Sequence, residues 1–265
     1  MLPIGQKFHT HTKHMIKQGK KTAGAWLQIG SPFTAEIMSR AGFDWLMIDM
    51  EHGPGDVMTL ISQLQAMKGY GTDAFVRVPW NDFVAIKRIL DAGVNGILVP
   101  YVCSKAEAEA AVKAVRYPPF GIRGVAGSPR AEGYGVGNAE YFPYADEELM
   151  LMVAIETPEG VANLDGILEV EGIDGIFIGP MDLATSMGHF GDPSHPEVRE
   201  TIAAVEKKVK ASGKFLGTVG GNYEKARALY EKGYQYIAIM ADGVALSQLA
   251  YDTVKKFNAD YGEQV

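Results

Sequence analysis

The sequence is nearly free of cysteine, since Cys103 is the one cysteine among 265 residues. A single thiol excludes an intramolecular disulfide, and a chain of this length can bury a full core without one. We therefore expect a protein of a reducing compartment, the cytoplasm.

Long apolar runs and a basic stripe are also missing. No run approaches the roughly 18 apolar residues of a membrane span, and residues 1–21 lack the apolar core of a signal peptide. The formal net charge is −7, opposite in sign to that of a typical nucleic-acid-binding domain. These absences predict no membrane partner and no nucleic-acid partner, and they favour an enzyme of small molecules.

Three catalytic signatures are absent as well. Gly133, Gly135 and Gly137 have the wrong spacing for a dinucleotide-binding loop, and no nucleophile elbow is present for Ser/His/Asp catalysis. No lysine lies in a predicted strand or at its C-terminal end, and Lys214 precedes a strand at the opposite end. Because a Schiff base requires a desolvated lysine in the pocket, these absences favour activation by a metal ion.

What the sequence contains is an alternation of short, apolar, strand-like runs with amphipathic runs of helix length. Eight such units predict an α/β fold, a single-domain (β/α)₈ TIM barrel over residues 1–265 with a lead-in segment at residues 1–21. An open doubly wound sheet is the alternative, and the missing dinucleotide fingerprint argues against it. The predicted strands are residues 22–29, 45–51, 74–78, 96–101, 149–156, 175–179, 215–219 and 236–240.

Helix signals fill the spaces between these strands. Ser31 and Pro32 open one helix as its N-cap and first residue. Further helices are predicted at residues 56–68, 81–92, 105–116, 182–187, 196–212, 223–232 and 244–259, with another that ends near Val170. Residues 117–147 are predicted as an irregular excursion because they are rich in Gly, Pro and aromatic residues. Glycines that suit the left-handed turn after a helix are Gly42, Gly93, Gly172, Gly213 and Gly233.

Three of the six histidines, His9, His11 and His14, lie in the lead-in segment. One interpretation is a metal-binding tract, and the other is a polar lead-in or first helix. The second is favoured because a short histidine-rich tract is a compositional hint that does not supply a complete ligand set.

Ionisable residues gather where the predicted strands end, and active sites of TIM barrels lie at this end. The residues are Asp49, Glu51, His52, Arg77, Glu156, Asp182 and Asp242. Glu156 and Asp182 follow neighbouring strands, so their carboxylates can converge on a hard divalent ion such as Mg²⁺ or Mn²⁺. The alternative is that both are rim acids without a ligand.

Arg77 and His52 have two interpretations each. Arg77 ends a strand of apolar residues, so its guanidinium requires an anion, which is either a ligand oxygen or an internal partner such as Asp49 or Glu51. His52 is either a general base or a spectator. Side chains that could line the pocket or pack on its rim are Trp26, Tyr101 and Met181.

Five runs carry a family resemblance: FDWLMIDMEHGP from Phe43, VRVPWND from Val76, RYPPFGIRGV from Arg116, AIET from Ala154 and IDGIFIGPMDLATSMG from Ile173. Together they resemble the HpcH/HpaI family of class II, pyruvate-dependent aldolases, from residue 22 to the C-terminus. The family includes 4-hydroxy-2-oxoheptanedioate aldolase and 2-dehydro-3-deoxyglucarate aldolase. The resemblance implies a cytoplasmic homohexamer that acts in aromatic or sugar-acid catabolism.

The resemblance also implies roles for individual residues. Glu156 and Asp182 are implied as ligands of Mg²⁺ or Mn²⁺, with Co²⁺ or Zn²⁺ as substitutes, and Asp182 also lies at the substrate. His52 is implied as the catalytic acid and base, and Arg77 as the residue that stabilises the enolate. The backbone of Met181 is implied to meet the substrate carboxylate.

Asp91 matches a family aspartate that raises the basicity of the catalytic histidine. Its place just before the fourth strand puts it at the opposite end of the barrel from His52. The histidine that it assists is therefore predicted to belong to a neighbouring subunit of the hexamer.

Ala154 departs from the family pattern, in which Gln often stands two residues before the metal-ligand Glu. We expect more space at this substrate-binding position and a substrate that differs accordingly.

The predicted function is reversible cleavage of a 4-hydroxy-2-oxo acid to an aldehyde and pyruvate, or a close analogue such as hydroxypyruvate. Decarboxylation of an oxaloacetate-type 2-oxo acid is the alternative, because it passes through the same enolate. A lyase of coenzyme A esters would require a basic groove that the sequence lacks, and a non-catalytic protein would not explain the charged residues gathered at the strand ends.

Overall fold

The computed structural model describes residues 5–262. Eight parallel strands form a closed barrel in chain order, with β8 paired to β1. The strands are β1 (Thr22–Leu27), β2 (Trp45–Asp49), β3 (Asp73–Arg77), β4 (Gly96–Val99), β5 (Met150–Ile155), β6 (Gly175–Ile178), β7 (Phe215–Val219) and β8 (Tyr236–Ala241). The predicted (β/α)₈ barrel is confirmed.

Helices surround the barrel. They are α1 (His11–Lys17), α2 (Pro32–Arg40), α3 (Val57–Ala66), α4 (Phe83–Asp91), α5 (Lys105–Val115), α6 (Asn138–Glu148), α7 (Pro158–Ala162), α8 (Leu164–Leu168), α9 (Pro180–Ser186), α10 (Pro196–Ser212), α11 (Tyr223–Glu231) and α12 (Asp242–Tyr261). None of the helices in this described part of the chain has the length and apolar character needed to cross a membrane.

Local signals in the sequence account for most helix boundaries. The Ser31 side chain accepts a hydrogen bond from the Phe33 N–H and caps α2, as predicted. The five glycines predicted to reverse the chain after helices all have φ between 78° and 99°, the left-handed region that glycine adopts without a Cβ clash.

Two predictions about helices were wrong in part. The segment at residues 117–147 is irregular only at first, because its last third forms α6, which Pro143 and a polar composition concealed. The helix predicted to reach Val170 is two short helices, α7 and α8, separated at Asn163. The Asn163 side chain donates a hydrogen bond to the Cys103 carbonyl at 2.8 Å, and an asparagine that bonds to backbone favours such a break.

The barrel interior is filled by large side chains that lie beside glycines. A Cβ at Gly24 would overlap the Trp45 ring, and one at Gly175 would overlap Phe215. Trp45 also stacks on Tyr236 with ring centroids 3.6 Å apart. This alternation of large and small residues fills the interior of the barrel, and a cavity opens near the C-terminal strand ends.

Helix α1 covers the N-terminal end of the barrel, so the lead-in segment contains a first helix. Ile16 packs into the interior cluster. The buried Lys13 ammonium lies 2.9 Å from Asp174, and the Thr12 N–H donates to Asp73 at 2.6 Å. The lead-in therefore seals this end, and the Lys214 ammonium also lies there, donating to the Ile173 carbonyl at 2.8 Å.

Candidate active site

A cavity of about 210 Å³ opens at the C-terminal end of the barrel. Its wall includes Trp26, Arg77, Ala154, Glu156, Met181 and Asp182. The sequence predicted a site at this end, and the structure brings both predicted metal ligands into one cavity.

Glu156 and Asp182 meet at Tyr101. The Tyr101 N–H donates to Glu156 Oε1 at 2.8 Å, and the Tyr101 hydroxyl donates to Asp182 Oδ1 at 3.3 Å. Tyr101 has a φ of 52°, which is uncommon for a bulky residue and is often found at functional sites. One residue thus holds both carboxylates through its backbone and its side chain.

Glu156 carries an unusual charge environment. Burial raises the pKa of Glu156 to about 7, and the negative charges of Asp182 and Glu51 add to the effect. The Tyr101 N–H and the charge of Arg77 oppose it without cancelling it. Because the charge of Arg77 does not balance the neighbouring carboxylates, the site suits a divalent cation.

Gly179 lets the chain pass close to Glu156. A Cβ at this position would overlap Glu156 Oε2. Glycine here therefore leaves room for the Glu156 carboxylate to remain beside Asp182.

Arg77 forms the second half of the site. Its Nε and Nη2 donate to the two oxygens of Asp49 at 3.0 and 2.6 Å, and its Nη1 lies 3.0 Å from Glu51 Oε2. The interpretation of Arg77 as an internal ion pair is thus confirmed. A guanidinium has five N–H groups and Asp49 accepts two of them, so others remain for a ligand in the cavity that Arg77 lines.

Asp49 anchors this half. It accepts further hydrogen bonds from Trp26 Nε1 at 3.2 Å and Gln28 Nε2 at 3.3 Å. Burial acts to raise the pKa of Asp49, but its hydrogen bonds and ion pair with Arg77 outweigh burial and hold that pKa below its usual value. The anion therefore stays charged and fixes the plane of the guanidinium.

His52 lies on the rim. Its backbone N–H donates to Asp49 Oδ1 at 3.2 Å, and its side chain is exposed. The cavity wall is formed by other residues. The catalytic role of His52 stays a prediction.

Asp91 lies at the opposite end of the barrel, as its sequence position predicted. It ends α4, and its carboxylate accepts a hydrogen bond from Arg123 Nη2 at 3.0 Å. Within its own chain Asp91 therefore pairs with the buried Arg123 and lies far from His52. Its predicted action on a neighbouring subunit stays a prediction.

Ala154 and Met181 both line the cavity. Ala154 is buried on β5, and a longer side chain there would enter the open space. Met181 is exposed for 52% of its surface beside Asp182. Trp26, Tyr101 and Met181 were expected in the pocket or on its rim. Trp26 lines the cavity as Met181 does, whereas Tyr101 forms hydrogen bonds to Glu156 and Asp182.

Groups of three metal-binding side chains were found at two places among residues 5–262, and both exclude Glu156 and Asp182. Two carboxylates alone leave most coordination positions of a divalent ion open for water and substrate. An open site of this kind is what a catalytic ion requires, because substrate must reach it.

The sequence profile of the HpcH/HpaI aldolase/citrate lyase family matches residues 22–248. The chain belongs to this family. It is 40% identical over 245 residues to a hydroxypyruvate/pyruvate aldolase of Pseudomonas aeruginosa, covering 92% of this chain and 91% of that one. It is 41% identical over 247 residues to a 4-hydroxy-2-oxo-heptane-1,7-dioate aldolase of Escherichia coli, covering 93% and 94%.

A solved structure agrees with these matches. An HpcH/HpaI aldolase/citrate lyase family protein from Burkholderia cenocepacia superposes with a TM-score of 0.90 at 34% identity, covering 94% of this chain and 99% of that one. The predicted family and the predicted class of enzyme, a metal-dependent aldolase, are confirmed.

Gln28 was missed from the sequence. It directly follows β1, reaches Asp49 and lines the cavity, and its alternation with Gly24 and Trp26 was an available signal. Tyr101 was expected only as a wall residue. Its left-handed backbone is a tertiary effect that no sequence pattern indicates. Asp242, expected at the rim, instead accepts the Gln28 N–H at 2.8 Å and braces the start of α12.

Proposed function

We propose that this enzyme cleaves a 4-hydroxy-2-oxo acid to an aldehyde and pyruvate or hydroxypyruvate, in the catabolism of aromatic compounds or sugar acids in the cytoplasm. The observation that carries the proposal is the pairing of Glu156 and Asp182 on Tyr101, in one cavity with Arg77. Carboxylates for a cation and a guanidinium for an oxyanion are the two requirements of enolate chemistry.

Glu156 and Asp182 would hold the divalent ion, which we propose to be Mg²⁺ or Mn²⁺ because oxygen ligands suit hard ions. Co²⁺ or Zn²⁺ could bind the same two carboxylates, although these ions also accept nitrogen and sulfur ligands. When bound, the ion supplies Lewis-acid polarisation of the 2-oxo acid.

Arg77 faces the oxygen on which negative charge develops. Its bonds to Asp49 and Glu51 hold it in place before substrate arrives. A donor that is already oriented needs no reorganisation during the reaction, which is why such donors lower barriers. The backbone of Met181 takes the substrate carboxylate at the other side of the cavity.

His52 removes the proton from the 4-hydroxyl during cleavage and returns it during synthesis. Breaking the bond between C3 and C4 then leaves the enolate of the donor and the free aldehyde. Because His52 is exposed on the rim of the single chain, we propose that a neighbouring subunit completes its surroundings, with that subunit's copy of Asp91 beside it.

A homohexamer is the assembly that we propose. Helix α12 supports self-association, since Asp242 is its one buried residue within the described chain. Apolar side chains exposed along it include Leu246, Leu249, Val254, Phe257 and Tyr261. Exposed apolar surface of this extent marks an interaction site.

Ala154 widens the cavity where relatives of the family often have Gln. We propose that the extra space admits a bulkier or less polar substrate group than in those relatives.

The test is release of pyruvate from 4-hydroxy-2-oxoheptanedioate by the full-length enzyme, before EDTA, after EDTA and after Mg²⁺ or Mn²⁺ is restored. Release that stops with chelator and returns with metal is the expected result. Release that continues unchanged in EDTA would overturn the assignment of Glu156 and Asp182.

A parallel assay with oxaloacetate separates the two enolate reactions. Cleavage of the 4-hydroxy-2-oxo acid with higher kcat/KM than decarboxylation is expected. The reverse ranking would make the enzyme a decarboxylase.

A further inference from the structure

Three side chains with metal-binding atoms converge at the N-terminal end of the barrel, outside the candidate active site. His14 lies on α1, His9 lies just before it, and Glu148 ends α6. The three ligand atoms lie within 4.8 Å of one another. Nothing in the aldolase mechanism uses them.

Their distances fit a metal site. Glu148 Oε2 lies 3.3 Å from His9 Nδ1 and 3.1 Å from His14 Nε2. Ligand atoms that surround a zinc ion tetrahedrally at its usual bond lengths are roughly 3.3 Å apart. These two separations are close to the edges of such a tetrahedron, and all three ligand atoms lie within 4.8 Å of one another. An ion would replace the direct contacts of Glu148 with the two imidazoles.

The backbone holds this arrangement in place. The Phe8 N–H donates to the Glu140 carbonyl at 2.8 Å, and the Thr10 N–H donates to Glu148 Oε2 at 2.8 Å. His9 is therefore fixed against α6 from both sides. A site whose ligands are already ordered loses less entropy when an ion binds.

We propose that His9, His14 and Glu148 bind a transition-metal ion of the zinc class, with water in the remaining position. Two imidazoles and one carboxylate favour Zn²⁺ over Mg²⁺, because nitrogen ligands suit zinc and Mg²⁺ prefers oxygen. Since His9 is exposed for 53% of its side chain, solvent reaches the fourth position.

This ion is separate from the catalytic one. The six residues of β5 lie between Glu148 and Glu156, which at about 3.3 Å per residue places the two sites about 20 Å apart. The ion ties the lead-in segment to α6, at the end of the barrel that α1 covers.

The test is the number of Zn²⁺ ions retained per chain in equilibrium dialysis of the full-length protein. The test variant is His9→Gln/His14→Gln, and His9→Gln alone is the second variant because a half-exposed residue tolerates substitution. His11→Gln is the matched control from the same tract. His189→Gln tests the other histidine group, which the chain forms with His195 and Glu197.

The wild-type chain is expected to retain one more Zn²⁺ than the double variant, and His11→Gln is expected to match the wild type. His9→Gln should weaken this site by at least about tenfold, since loss of even an outer-shell partner costs that much. Equal retention by wild type and double variant would overturn the proposal, as would equal loss in His11→Gln or loss only in His189→Gln. Because the readout is zinc content, it is independent of aldolase activity.

Discussion

At the N-terminal end of the barrel, the buried Asp73 and the half-buried Asp174 face partners from the lead-in segment. Asp174 pairs with the buried Lys13, and Asp73 accepts the N–H of Thr12. At the C-terminal end, Glu156 and Asp182 share only Tyr101, while Arg77 is already bound by two other acids. The same residue type is thus satisfied internally at one end and left short of positive charge at the other.

The difference separates stability from function. At a closed end each member of an internal pair depends on the other, because removing one partner leaves a buried charge alone. Carboxylates at an open end work against folding until a ligand arrives, and they mark the place where a cation binds.

The largest expected effect tests the open end. Glu156→Gln keeps the shape but removes the charge, so turnover should fall by about 10³ or more, the loss expected for several kcal/mol of lost metal stabilisation. The free energy of unfolding of the metal-free protein should stay the same or rise, because a buried carboxylate is lost. Steady-state kinetics with Mg²⁺ and urea unfolding measure the two quantities.

Glu159→Gln, an exposed acid in the first turn of α7, is the control and should change neither quantity. If Glu156→Gln retained metal-dependent turnover, the carboxylates at the C-terminal end of the barrel would not be the ones that bind the catalytic ion.

The next effect tests the closed end. Asp174→Ala leaves the Lys13 ammonium buried without its partner, and the free energy of unfolding should fall by about 3–5 kcal/mol. Asp165→Ala breaks an exposed ion pair with Lys208 and should cost about 0–1 kcal/mol. Urea titrations of both variants check this, and equal losses would show that burial of the pair is irrelevant.

Arg77 sharpens the comparison within the open end. Arg77→Ala removes an oriented donor to the enolate oxygen, so kcat should fall by about 10²–10³. Arg77→Lys should be nearly as slow, since a lysine cannot hold both oxygens of Asp49. Kinetics at saturating substrate measure this, with exposed Arg227→Lys as the control. Near-normal turnover of Arg77→Ala would contradict the role.

The smallest effect concerns Ala154. Ala154→Gln fills part of the cavity, so kcat/KM for a bulky aldehyde should fall relative to a small one by about tenfold, the scale of one side-chain contact in a pocket. Aldol synthesis with paired aldehydes of different size measures the ratio. An unchanged ratio would mean that the acceptor lies elsewhere in the cavity.

Features set by residues close together in sequence were predicted well, and features set by residues far apart in sequence were not. Strand β7 and helix α10 have the predicted boundaries, because alternation and a capping proline are local signals. Helix α6 was missed because its local pattern is weak, and with it went the contact of Glu148 with His9 and His14, more than 130 residues away in sequence.

In the site, the placement of Glu156 and Asp182 followed from the order of the strands. Their meeting on Tyr101 did not, because it depends on a positive φ that only the folded chain imposes. The internal bonds of Arg77 were among the predicted alternatives, and only the structure shows that it binds both Asp49 and Glu51.

Gly179, directly after β6, and Ala154, on the neighbouring β5, line the same cavity, yet they offer opposite prospects for directed evolution. Any side chain at residue 179 would displace the Glu156 carboxylate, so libraries at that codon should return almost only the parent. At residue 154 the side chain enters free space, so that codon is where new acceptor preferences can be selected while the cation-binding pair is retained.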